Sequence, residues 1–225
     1  MGYFDRIEEV LDAGAPVIML RTSEYDRAYA GLKRWCKGAD AVLYKWSCVE
    51  GLLEMSVNFD TVMAVDERVS DLVQVLVEVE RRQDNSEVEM FVLEGVYDFV
   101  YRADVKALLR KLILDIPKSG TKKKVVLLNP IPELPLELCG SIPSLELPAP
   151  DAIELKKLLE AVLKARGLTA DEAMKAALIE AASGMTAEAA SLAFRIAGLR
   201  TEFGEEAPAV VRECNNLYLE PKPYT

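Results

Sequence analysis

The chain has 225 residues, 51% of them hydrophobic and 28% charged, with a formal net charge of −10 and no histidine. This size and composition fit one large globular domain, or a medium domain with a small companion, and exclude a disordered chain. The acidic balance excludes the clustered basic footprint of a nucleic-acid surface, and no apolar run approaches the length that spans a bilayer. The missing histidine removes the usual general base, the Ser-His-Asp and Cys-His nucleophile pairs and the common metal ligand. Cys36, Cys48, Cys139 and Cys214 are scattered and form no C-x-x-C pair, so they read as buried free thiols in a reducing cytosol and no metal site is expected. No basic region followed by an apolar stretch opens the sequence, so the expectation is no signal peptide and a cytoplasmic location.

Along the chain, Tyr3, Phe4, Ile7, Val10 and Leu11 recur at helical spacing, and Gly14 with Pro16 ends that helix. The first strand, Pro16 to Leu20, is a short apolar run of the buried parallel kind. Ser23 then reads as an N-cap, with Asp26 in the supporting position. The apolar face of the helix that follows is Tyr25, Ala28, Tyr29, Leu32 and Trp35. A second strand spans Ala41 to Trp46. A polar stretch with little pattern leads from Ser47 into a helix over Ser70 to Arg82, and a third strand, Val88 to Leu93, ends at Glu94-Gly95.

The aromatic residues Tyr97, Phe99 and Tyr101 follow and are expected to pack under the next helix, for which Asp98 and Asp104 supply caps. That helix, Asp104 to Ile116, is closed by Pro117 and Gly120. Four lysines between Lys118 and Lys124 read as a solvated loop rather than a phosphate patch. Lys124 to Leu128 forms a fourth strand and Ser144 to Leu147 a short fifth, joined by a proline-rich but ordered connection. Strands alternating with helices at this spacing predict a parallel α/β sheet covered on both faces. From Pro148 the chain turns helical. Asp151 caps Ala152 to Arg166, Thr169 caps Ala170 to Ser183, Thr186 caps Ala187 to Gly198, and a further helix lies near Ala209 to Leu217. The divisions are an α/β domain over 1–148, a small helical domain over 149–204, and a C-terminal helix and tail over 205–225.

The turn Arg21-Thr22-Ser23-Glu24-Tyr25-Asp26-Arg27-Ala28 lies where a nucleotide-binding fold carries its phosphate loop. Such a loop turns backbone N–H groups towards phosphate oxygens, which takes glycines, and reaches the β/γ-phosphates with a lysine. This turn has neither, and Glu24 and Asp26 put negative charge in their place.

A series of runs occurs in order: APVIMLRTSEYDRA, VLYKWSCVEGL, MFVLEGVYDFV, KKVVLLNPIPELPLEL, LELPAPDAIELKKLL and ASGMTAEAASLAF. The series, and above all Pro130 to Leu138 after the fourth strand with Trp46, Ser47 and Gly51, resembles the N-terminal half of tandem AAA+ ATPases of the kind found in cyanobacteria, other bacteria and algal chloroplast genomes. It covers about Ala13 to Tyr218. The resemblance implies a degenerate, P-loop-less AAA+-like domain with a five-stranded parallel sheet, followed by an all-helical lid. An active family domain shows an Asp-Glu pair after the third strand, to hold Mg²⁺ and polarise water. Here the pair is Glu94-Gly95, and Gly95 cannot activate water. Asn129 ends the fourth strand where active relatives sense the γ-phosphate, although an end-of-strand turn with Pro130 explains it equally well. The lid helix opening at Met185-Thr186 lacks the arginine that reaches nucleotide, and Arg195 lies well inside that helix.

Thr22, Ser23, Glu94, Gly95 and Asn129 are therefore read as vestigial nucleotide-site positions, with no catalytic residue and no cofactor. The expected function is a catalytically inactive AAA+ module acting through protein contacts as a scaffold, assembly or regulatory subunit. Its expected partner is an active AAA+ ATPase or a second copy of itself, with no nucleic acid and no membrane. The alternative is a regulatory domain with residual ATP or ADP binding, the one case in which ATP and Mg²⁺ enter. The family's second, catalytic domain would begin after Tyr218, whereas this sequence ends at Thr225. A truncated sequence and a free-standing module are both compatible with that.

Overall fold

The computed structural model describes residues 4–55, 62–64, 69–82, 87–131 and 133–218. Two compact units divide the chain, 1–147 and 148–225. The first contains α1 (Asp5–Asp12), β1 (Val17–Arg21), α2 (Tyr25–Ala39), β2 (Ala41–Ser47), β3 (Gly51–Met55), β4 (Val62–Ala64), α3 (Leu72–Arg81), β5 (Val88–Glu94), a 3-10 turn (Val96–Asp98), α4 (Ala103–Ser119), β6 (Lys123–Asn129), α5 (Leu136–Cys139) and β7 (Ser144–Glu146). The sheet runs β4-β3-β2-β5-β6-β1-β7. Its five strands β2, β5, β6, β1 and β7 are parallel, and β3 and β4 continue it as an antiparallel hairpin extension.

Period-two alternation sends each strand's side chains to two separate cores. Val17 and Met19 join Phe91, Leu93, Val125 and Leu127 beneath α3 and α4. Ile18 and Leu20 join Met90, Val92, Val126 and Leu128 beneath α1 and α2. Both faces are covered, as the unbroken apolar runs of these strands require. Trp46 is fully buried and donates its indole N–H to the Val69 carbonyl at 3.0 Å, whereas Trp35 sits at the rim and donates to Asp12 at 2.8 Å.

Several local expectations are corrected. The patternless stretch after Ser47 contains β3 and β4, and part of it lies outside the described residues. Helix α4 runs through Pro117 to Ser119 and stops at Gly120, whose φ of 72° supplies the left-handed residue that ends a helix. Its N-cap is Arg102 without a side-chain cap, so neither Asp98 nor Asp104 caps it, and Asp104 instead pairs with Arg102 at 2.8 Å. Of the aromatic trio, Phe99 packs edge-on to Trp46 at 6.2 Å, Tyr97 is half-buried and Tyr101 is exposed.

The lysine run is also not a plain solvated loop. Lys123 is buried and donates to the Val79 carbonyl near the C-terminus of α3 at 2.7 Å. Lys124 donates to the Ala15 carbonyl at 3.3 Å. Burial lowers the pKa of both lysines. Beside Lys123, Arg82 donates to Glu89 at 2.9 Å, to Tyr44 at 2.8 Å and to Glu78 at 3.1 Å, and lies 4.6 Å over the Tyr44 ring. Burial alone lowers the guanidinium pKa, and the bonds to Glu89 and Tyr44 more than reverse it.

The second unit comprises α6 (Ala152–Arg166), α7 (Glu172–Ala181), α8 (Ala187–Thr201) and α9 (Ala207–Tyr218). Asp151 and Glu154 form a reciprocal capping box on α6, and Thr186 caps α8. Asp171, rather than Thr169, caps α7 by accepting from Met174 N at 2.7 Å. The core is built around Leu159, Leu178 and Phe194 with close-packed alanines, and α9 contributes Ala207, Val211 and Cys214 to it. Asn215 ties α9 to the end of α7 by donating to the Ala181 and Ser183 carbonyls.

Candidate functional site

The carboxyl ends of parallel strands are where an open α/β sheet binds ligands, and strand order is reversed around β1. Helix α2 leaves β1 towards β2, while the later connections step back through β5 and β6 and over β1 to β7. Arg21 pairs in register with Asn129 of β6 and Glu146 of β7, and its guanidinium binds the Glu146 carboxylate.

At this edge Thr22 is buried and donates its backbone N–H to the Asn129 carbonyl at 2.8 Å. Its hydroxyl accepts from Glu24 N at 2.9 Å. Gly95 N–H donates to the Leu128 carbonyl at 3.0 Å, so four of the five positions singled out above, Thr22, Asn129, Glu94 and Gly95, meet across β1, β6 and β5. Ser23 lies exposed in the adjoining turn. It does not cap α2, because the N-cap position falls one residue later, on Glu24, which makes no side-chain cap bond.

Glu24 turns instead to Arg27, one helical turn on, and accepts from its guanidinium at 2.7 Å. The two side chains are 8% and 12% exposed, so the pair is almost wholly inside the protein. Tyr25 donates a long hydrogen bond of 3.4 Å to the Leu128 carbonyl. Burial raises its pKa, and the Glu94 carboxylate and Tyr97 add to the rise. Burial also pushes the Tyr29 phenol far above the ordinary range, with Glu94 reinforcing the shift. Glu94 approaches the buried Tyr29 hydroxyl without reaching the geometry of a hydrogen bond.

Gly95 has φ 65° and open space where a side chain would stand, so backbone conformation, not close packing, favours glycine there. The Asn129 side chain is fully buried. Its Nδ2 lies 3.6 Å from the Met19 sulfur, and its Oδ1 has no hydrogen-bond partner among the described residues.

Mg-ATP does not fit this donor set. The turn offers no lysine and no left-handed residue to aim consecutive N–H groups at an anion, and its own carboxylate already holds Arg27. Among the described residues no three His, Cys, Asp or Glu side chains gather to hold a metal ion, and no helix is long and apolar enough to cross a membrane. Sequence reasoning named the turn but missed the Glu24–Arg27 pair, for which the i, i+3 spacing of opposite charges was the available signal.

Residues 3–147 match the family described as the SpoVK-like AAA ATPase, N-terminal domain. The chain belongs to that family. A comparison with curated proteins gives no match. Among solved structures, the RuvB Holliday junction branch migration motor of Thermotoga maritima is similar with a TM-score of 0.55 at 12% identity, over 96% of this chain and 68% of that one. The C. elegans PCH-2 structure is similar with a TM-score of 0.55 at 11% identity, over 97% and 67%. The FIGL-1 AAA domain in complex with ADP gives 0.59 at 10% identity, over 96% and 76%. Likeness at this identity establishes an AAA+ fold for the SpoVK-like N-terminal domain. The matched family region coincides with the first compact unit, which holds the whole of the candidate edge.

Proposed function

We propose that this SpoVK-like N-terminal domain is a degenerate, non-hydrolysing AAA+ module of the tandem type that acts through protein contacts, as a scaffold, assembly or regulatory subunit. The observation that carries the reading is the Glu24–Arg27 pair, an internal carboxylate–guanidinium contact in the turn where a phosphate loop would stand. Gly95 in place of a water-polarising acid supports it. The partner is an active AAA+ ATPase or a second copy of this chain, since AAA+ subunits associate head to tail. Four free cysteines are in keeping with a reducing, cytoplasmic setting, although only Cys36 and Cys214 are buried as expected while Cys48 and Cys139 are exposed.

Isothermal calorimetry with Mg-ATP tests the reading. No saturable heat is expected up to millimolar nucleotide, and saturable binding at micromolar levels would overturn it. Light scattering after size exclusion, across a concentration series, separates the two partners. A defined oligomer assigns self-association, and a monomer at every concentration moves the search to a P-loop-bearing AAA+ protein.

A second reading, a regulator with residual ATP or ADP binding, is favoured by the absence of a side-chain cap on α2, whose first-turn N–H groups are the donors an anion would use. The same calorimetry decides between the two.

A further inference from the structure

Large apolar side chains on a monomer surface are ordinary when scattered and informative when they share one edge. Here three stand at the carboxyl ends of neighbouring parallel strands. Val49, in the turn after β2, is 87% exposed; Tyr101, in the connection after β5, is 54% exposed; and Leu136, opening α5 after β6, is 92% exposed. The segments that carry them are stitched together. The Trp46–Phe99 ring contact joins the hairpin to the connection after β5, and Lys106 of α4 binds Glu137 of α5 at 2.9 Å. The three anchors are therefore presented on linked segments of one rim.

The charges around them have one sign to spare. Among the described residues, the cations at this part of the rim are matched: Lys45 to Glu50 at 2.7 Å, Arg102 to Asp104 at 2.8 Å, and Lys106 to Glu137. Asp98 and Glu133 are exposed and have no cation within ion-pair distance among the described residues. An apolar row with unmatched acids beside it, on a chain of net charge −10, repels nucleic acid and anionic membrane and attracts the opposite kind of polypeptide.

We infer that the rim formed by Val49, Tyr101 and Leu136, flanked by Asp98 and Glu133, is the docking surface for a basic amphipathic segment of a partner protein. Its apolar side chains cover the three anchors, and its Lys or Arg side chains answer the two acids, the arrangement by which an amphipathic helix is read in a groove. The inference rests on the proposal that the module works through contacts. Calorimetry with ATP tests that proposal separately, so failure of either leaves the other result readable.

The test uses the full chain and a fluorescein-labelled peptide of about 18 residues, Leu and Lys placed at helical spacing, with a second peptide in which Glu replaces each Lys. Fluorescence anisotropy is expected to show saturable binding of the basic peptide and none of the acidic one. Val49→Ser with Leu136→Ser weakens binding about tenfold or more, as loss of central anchors does. Asp98→Asn with Glu133→Gln weakens it about fivefold at about 0.05 M salt and has little effect at about 0.5 M, because surface attraction is screened. Glu9→Gln with Asp115→Asn, exposed acids elsewhere on the same unit, leaves it unchanged. All four substituted rim residues are exposed, and unaltered circular dichroism melting confirms that the fold survives. Absence of saturable binding overturns the inference. So does binding that falls equally with the rim and the control acids, which would be attraction to net charge alone.

Discussion

Replacing Arg82 with methionine is expected to destabilise the first unit by about 3–5 kcal/mol, the cost of leaving a buried charge without its partner. Glu89 has a side chain only 10% exposed, and one of its oxygens already lacks a hydrogen bond. Removing the guanidinium strips the carboxylate of its bond at 2.9 Å and frees the Tyr44 hydroxyl as well. It also removes a cation from the Tyr44 face, which itself stacks on Phe91 at 4.7 Å. Lys123, in register with Glu89 across the sheet, still attracts that carboxylate, but its hydrogen bond goes to the Val79 carbonyl and not to Glu89. Adding Glu89→Met to the Arg82→Met variant should recover most of the loss, because an apolar pair of similar size is commonly neutral in such a place. Both tryptophans of the chain lie in the first unit, so urea unfolding followed by tryptophan fluorescence reads that unit alone. A double variant less stable than Arg82→Met would show that the cluster is not a coupled charge pair.

Gly31→Val is expected to cost about 2–4 kcal/mol through overpacking and loss of a buried ring. Valine is no worse a helix former than glycine, so propensity alone predicts a neutral or slightly favourable change. Space decides the sign. A Cβ at residue 31 would lie 2.3 Å from the Phe4 ring, which is itself fully buried against α2. The ring must leave, and its share of the buried cluster that holds Ile7, Leu32 and Leu128 goes with it. In a Phe4→Ala background the same substitution should cost much less, because the colliding atoms are gone; equal costs in the two backgrounds would refute the mechanism.

The parallel strands were legible because buried strands read as continuous apolar runs, and Val17–Leu20, Met90–Leu93 and Val125–Leu128 are unmistakable in that respect. The α6 and α8 starts were legible because Asp151 and Thr186 carry their own capping chemistry. β3 escaped notice because Gly51-Leu52-Leu53-Glu54-Met55 is short and does not alternate cleanly, its burial being set by pairing with β2. Thr169 and Asp171 are both good caps two residues apart, and local sequence does not rank them. The convergence of Thr22, Glu94, Gly95 and Asn129 on one edge followed from strand order, which a linear sequence implies only once the sheet is assigned. The roles of Lys123 and Lys124 could not be read, since each depends on a helix end far away in the chain.

The link between β1 and α2 is only three residues long, Thr22, Ser23 and Glu24. A phosphate loop takes about six residues from its first glycine to its last, before the lysine that follows. Exchanging side chains in the present link therefore cannot build a cradle, however many are changed. A cradle there would demand an insertion where the Thr22 N–H already binds the Asn129 carbonyl and the Leu147 N–H the Arg21 carbonyl, so a longer link would have to form without breaking bonds that hold the sheet edge.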